Sequence, residues 1–234
     1  MSKLKLKNSE LPTYTMTLPV SKITAKYRPF VVREEKVLLI ALQSKDQQQI
    51  ADAMHQIISV CTNDIVDTTK LCSADSEYAF LQIRAKSIGE EVKPTITCNH
   101  CGTQTNLKVR LDQFNLYTDY KPTDNNIKLY DNISVVMRHP TLHDFGLKGN
   151  AVDVVFEITK KCIDSMVVDE EVYTRNEIDE KELSDFVDNL TPNEFLKLTQ
   201  FFENTPKLNY ELKYNCVKCS ETVKVEFKNI TDFF

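Results

Sequence analysis

Glycine is scarce in this chain of 234 residues, with four copies at Gly89, Gly102, Gly146 and Gly149. Neither a G-x-G-x-x-G fingerprint, nor a G-x-x-x-x-G-K-[ST] phosphate loop, nor a G-x-S-x-G nucleophile elbow can be written from those positions. Nucleotide cradles and serine hydrolase elbows are therefore poor candidates. Long apolar runs are missing too. The nearest approach, Val37 to Leu42, is far short of the about 18 residues that a bilayer span requires. Lys3, Lys5 and Lys7 lead into Asn8-Ser9-Glu10 and Pro12 with no apolar stretch, so the N-terminus does not read as a signal peptide and a cytoplasmic origin is expected. Positive charge is in deficit, with a net charge of -5 and a pI near 5.5, which argues against bulk electrostatic binding of nucleic acid. What is present is the composition of a globular protein, 41% hydrophobic and 27% charged, long enough to bury a core without disulfides.

Seven cysteines in a reducing compartment are read first as metal ligands and buried thiols. Four fall into two C-x-x-C pairs, Cys98-Asn99-His100-Cys101 and Cys216-Val217-Lys218-Cys219, whereas Cys61, Cys72 and Cys162 stand alone in apolar surroundings. Two thiolates three positions apart on a tight turn can face one tetrahedral cation, and two such turns complete a closed four-sulfur site suited to structural zinc. Gly102 directly after the first pair suits the chain reversal. Strand-like sequence flanks both pairs, Thr95 to Thr97 and Leu107 to Leu111 around the first, Tyr210 to Tyr214 and Val223 to Phe227 around the second. The pattern is an imperfect repeat of a zinc-knuckle hairpin, over 95–111 and 210–228, and joining them closes a loop whose restriction in the unfolded chain is about 4 kcal/mol. A thioredoxin-like redox pair needs its C-x-x-C at the start of a helix in a βαβ unit, which neither flank offers. His100 has no vacancy among four thiolates, and catalytic zinc needs an open position.

The remaining histidines are weaker signals. His139 and His143 are separated by Pro140, which breaks the helix that a shared H-x-x-x-H metal would need, and His55 reads as a surface or satisfied core residue. Residues 1–35 read as an extended arm or edge strands, and 36–234 as one α+β domain closed by the paired knuckles. Helices packed with short antiparallel hairpins are expected. Apolar positions at Ile50, Met54, Ile57, Ile58 and Cys61 predict a helix over 46–61, with a partner from near Ser76 to Gly89. A hairpin is written over Ile127–Met137, and Thr141 with Asp144 opens a helix expected to run to about Asp164. An acidic helix over about 177–190 reads as a solvated face, and Thr191-Pro192-Asn193-Glu194 caps a last helix that Pro206 ends. The terminal Phe233-Phe234 reads as a plug that ties the end down, in preference to an exposed anchor for a partner.

Several short motifs in order resemble one family. Leu18-Pro19, Glu34 to Leu39, and Asp75 to Gly89 leading into the first C-x-x-C are similar to the baseplate hub subunit and hub assembly proteins of T-even-type contractile-tailed bacteriophages. So are Asn193-Glu194-Phe195, Phe201 to Asn204 and Pro206-Lys207-Leu208 before the second C-x-x-C, and the closing Asp232-Phe233-Phe234. The chain departs from that pattern in lacking a glycine soon after Leu18-Pro19. The resemblance implies a non-enzymatic protein that builds the central hub of the tail baseplate with other hub and tail proteins. It would work in the host cytoplasm during assembly, and the resemblance leaves open whether it stays in the virion. A rigid, metal-stapled fold with zinc held by Cys98, Cys101, Cys216 and Cys219 agrees with that role, as does an extended arm able to add to a neighbouring sheet edge.

The alternative is a zinc-ribbon nucleic-acid module, suggested by Lys93, Lys108, Arg110, Lys213, Lys218, Lys224 and Lys228 around the hairpins. Interleaved Asp112, Glu211, Glu221 and Glu226 weaken that bias. A metal hydrolase finds no convergent acid, base and open ligand position in the sequence.

Overall fold

The computed structural model describes residues 11–111, 115–116, 124–147 and 149–227. The first elements, β1 (Tyr14–Thr17) and β2 (Thr24–Tyr27), form an antiparallel hairpin. Met16, Leu18, Ala25 and Tyr27 are buried while Thr15 and Thr17 face outward, the alternation of a sheet with one buried face. The turn is tied down from a distance, because the buried Asp75 carboxylate accepts the N–H groups of Val20 and Ser21, both at 2.8 Å. Residues 1–10 lie outside the described residues, and residue 35, where the sequence reading ended its N-terminal stretch, sits in the first turn of a helix.

That helix, α1 (Val32–Ser44), contains the Val37 to Leu42 run, whose residues alone assign it to no element. Glu34 caps it by accepting from the Val31 N–H at 2.6 Å and pairing with Arg28 at 3.2 Å. Lys45 ends it in the left-handed region, and Asp46 caps α2 (Gln47–Thr62) by accepting from Gln48 and Gln49 N–H. The five apolar positions at three-four spacing in α2 are all buried, as expected. Its partner α3 (Ser73–Ser87) starts slightly earlier than its polar first turn suggested, because Ser73, Asp75 and Ser76 are themselves buried.

The chain then passes through β3 (Glu91–Val92), β4 (Thr95–Thr97), β5 (Gln104–Asn106), β6 (Val109–Arg110) and β7 (Asn115–Leu116). β4 pairs with β5 across the first C-x-x-C, and β3 pairs with β6 outside it, so the hairpin continues in two short rungs. Val92, Val109 and Leu111 enter the same core as α1, α2, α3 and the first hairpin.

A second core forms on the sheet β11-β10-β9-β8, from β8 (Asn126–Lys128), β9 (Ile133–Met137), β10 (Ile163–Val168) and β11 (Glu171–Thr174). The hairpin expected over Ile127–Met137 is β8 and β9. The single helix expected from Thr141 to about Asp164 is corrected. Thr141 and Asp144 do form a capping box, but over a 3-10 turn, Leu142–Asp144, after which the chain leaves the helix. Gly146 and Gly149 lie at φ +78° and +150°, and a Cβ on Gly146 would stand 2.8 Å from Gln47 Cβ. Backbone conformation and close approach to α2 both require that glycine. The helix restarts as α4 (Ala151–Lys161) under an Asn150 cap, and the β-branched run from Ile163 becomes β10. The acidic segment folds as α5 (Glu180–Asp188), and Thr191 and Glu194 box the start of α6 (Pro192–Gln200), as predicted.

Among the described residues, polar bonds tie the segment after β9 to the first core and to α4. Ser73 N–H donates to the Pro140 carbonyl at 2.8 Å, His143 Nε2 lies 2.7 Å from His55 Nδ1, and Arg138 pairs with Asp144 at 2.6 Å while donating to the Lys161 carbonyl. The last strands, β12 (Leu208–Asn215) and β13 (Thr222–Phe227), return the chain to the first core and pair with β7 in the order β13-β12-β7.

Candidate metal centre

Both C-x-x-C segments fold into the same turn. Cys98 N–H donates to the Thr103 carbonyl and Gly102 N–H to the Cys98 carbonyl, each at 2.9 Å. In the second copy Cys216 N–H donates to the Glu221 carbonyl and Ser220 N–H to the Cys216 carbonyl, again at 2.9 Å. The residue after each second cysteine is left-handed, Gly102 at φ +70° and Ser220 at φ +59°. The repeat seen in sequence is thus a repeat of backbone conformation. Ser220 was not singled out from sequence, although it stands at the offset of Gly102.

The turns face each other. Cys98 Sγ lies 3.8 Å from Cys219 Sγ, Cys101 Sγ lies 3.6 Å from Cys216 Sγ, and all four sulfurs fall within 4.8 Å of one another. A tetrahedron with zinc–sulfur bonds of about 2.3 Å has edges of about 3.8 Å, so this spacing fits four thiolates on one ion. The separations are too long for disulfide bonds, and all seven cysteines are unbridged. Cys98 and Cys216 are buried, with Val223, Val225 and Tyr214 packed around them, while Cys101 and Cys219 are half-buried.

The polypeptide already favours negative charge on part of this set. The Thr103 hydroxyl, 3.3 Å from Cys101 Sγ, together with the Thr103 N–H, lowers the Cys101 thiol to about 6. The N–H groups of Cys219 and Lys218 lower Cys216. Cys219 accepts help from the Glu221 N–H but is pushed up to about 12 by burial and the neighbouring sulfurs. Four thiolates at this distance need a cation between them. Cys61, Cys72 and Cys162 lie elsewhere in the two cores, where burial raises their thiols to about 11, 12 and 12.

A sequence model of the family described as T4 bacteriophage base plate protein matches residues 11–234. The chain belongs to this family. Neither curated proteins nor solved structures gave a match. Membership makes this a phage base plate protein, and a base plate is a structural part of the virion tail, built by contact with other tail proteins. No helix among the described residues is long and apolar enough to cross a membrane.

Elsewhere in the base plate protein the other candidate residues stay apart from the sulfurs. His100 is exposed on the first knuckle. His139 stacks on Phe201 in the second core, and His143 meets His55 and not His139. Four of the basic residues around the hairpins pair with carboxylates: Lys108 with Glu91, Arg110 with Glu90, Lys213 with Glu211, and Lys224 with both Glu211 and Glu226. Lys228 and Asp112 lie outside the described residues.

Proposed function

We propose that this base plate protein is a non-enzymatic component or assembly factor of the base plate hub, in which Cys98, Cys101, Cys216 and Cys219 hold one structural zinc ion. The observation that carries the reading is the closed set of four sulfurs at tetrahedral spacing, sheltered by Tyr214, Val223 and Val225. All four positions are taken by protein, which suits shape rather than turnover. When bound, zinc supplies a cross-link between residues over a hundred positions apart in sequence. The chain's own share is to aim the sulfurs with two matched turns, to lower Cys101 with the Thr103 hydroxyl and N–H, and to lower Cys216 with the N–H groups of Cys219 and Lys218.

Native mass spectrometry of the protein co-expressed with the phage's other hub proteins, with metal content measured in the same sample, tests the reading. One zinc per chain and incorporation into a hub complex are expected, both lost in Cys98→Ser. A hub that assembles normally around a metal-free chain sinks the proposal. The zinc-ribbon reading toward nucleic acid finds little support in a surface where Lys108, Arg110, Lys213 and Lys224 are already paired with carboxylates.

A further inference from the structure

An apolar surface stays open to solvent on each core, and the two carry opposite charge. The first is on α1, whose inner face gives Leu38 and Ala41 to the first core. Its outer face holds Val32, Lys36, Leu39, Ile40 and Gln43, at the i, i+4, i+7, i+8, i+11 spacing of one side of a helix. Val32 is 79% exposed, Leu39 51% and Ile40 57%. The charge on this side is positive: Lys36 is exposed within the stripe, and Glu34 is shared between Arg28 and Arg33, which leaves one guanidinium charge over.

The second surface is a groove of about 300 Å³ between α4, α5 and α6. Its floor is the stacked pair Phe156 and Phe195, with ring centroids 4.3 Å apart, and Leu190 and Leu196 line it beside them. Val152, one turn before Phe156, extends the apolar wall along α4; it is 64% exposed and Leu196 is 52%. Here the charge is negative. Asp188 lines the groove, Asp185 is exposed one turn back on α5, and that helix carries four carboxylates against one lysine.

Each surface offers what the other lacks. An apolar helix face with a basic edge fits an apolar groove with an acidic edge, and opposite charges set partner and register. Within one chain both surfaces remain exposed. We infer that the α1 face of one copy docks into the α4–α6 groove of a second copy, with Leu39 and Ile40 over Phe156, Phe195 and Leu196, and Lys36 beside Asp185 and Asp188. The two patches are different, so the contact is head-to-tail and leads from copy to copy, closing into a ring where the rotation allows. It requires neither the zinc nor the hub reading, and goes beyond both to how copies of this base plate protein meet.

Sedimentation velocity of the full-length, zinc-loaded chain tests the inference. Oligomers that grow with concentration are expected for the natural chain, since one helix in a groove is a small interface. Leu39→Lys with Ile40→Lys breaks the helix face, and Asp188→Lys with Leu196→Lys breaks the groove. All four side chains are exposed, so melting curves should change little. Each double variant alone should be monomeric. Mixed one to one, they retain one intact helix face and one intact groove, and should form a heterodimer that grows no further. Lys36→Glu should weaken association about fivefold, and Asp188→Lys in the same chain should recover it. A natural chain that stays monomeric at millimolar concentration overturns the inference, even where these faces hold a co-expressed tail protein instead. So does an oligomer that survives in either double variant, because a face that pairs with its own counterpart is indifferent to loss of the other.

Discussion

Removing one knuckle ligand is the perturbation whose size the structure best defines. Cys101 and Cys216 are separated by 115 positions and face each other at 3.6 Å. A cross-link closing that loop restricts the unfolded chain by about 5 kcal/mol on the chain-entropy estimate, and zinc binding to four thiolates has more than that to give. Domains are stable by only about 5–15 kcal/mol, so loss of the staple removes a third or more of the total. At about 2–4 °C per kcal/mol for a chain of this size, Cys98→Ser or Cys219→Ser should lower the melting temperature by about 10–20 °C. Circular dichroism melts with zinc measured on the same samples are the assay, and chelation of the unmodified protein should reproduce the shift. Cys162→Ser is the control, since Cys162 is buried in the second core away from the sulfurs; it should keep its zinc whatever it does to stability. A metal-free protein that melts like the zinc-loaded one refutes the reasoning.

Three further outcomes follow from single residues. Asp75→Ala should cost about 3 kcal/mol, because the Val20 and Ser21 N–H groups lose a charged acceptor inside the protein, and a urea titration measures it. Gly102→Ala should cost about 1 kcal/mol in the zinc-loaded protein; no atom lies within 4 Å of the new methyl, so backbone conformation at φ +70° is the whole cause. An unchanged melting temperature there excludes that account. His55 is held down to about 4 from 6.5 by burial and by His143, with Asp52 opposing. The unfolded chain therefore binds more protons than the folded one between those values, and stability falls as pH drops from 6.5 toward 4. Asp52 and His143 face this imidazole, so equilibrium unfolding across that range should be compared with His55→Gln, which should flatten the dependence.

The four clustered cysteines were legible from sequence because C-x-x-C is a local device: spacing, a following glycine in the first copy and strand-like flanks all lie close together in the chain. Their meeting is shown by the fold, through sulfurs brought within 4.8 Å. Helices α2 and α6 were equally legible, one from apolar spacing and one from its capping box. Helix α1 was not, because its Val37 to Leu42 run has no single period, and Leu39 and Ile40 remain exposed beside buried Leu38 and Ala41. The long helix expected after Thr141 failed at Gly146, where the decisive neighbour, Gln47, is almost a hundred positions away.

Sequence by itself determined the α+β class, the pair of C-x-x-C turns and the resemblance that the family match bears out, because each rests on residues close together in the chain. Tertiary structure decided what lies between distant segments: the Asp75 carboxylate that anchors the first hairpin, the division into two cores and the meeting of the two C-x-x-C turns. Those features depend on which surfaces meet after the chain has folded back on itself, and no local pattern of residue types encodes that meeting.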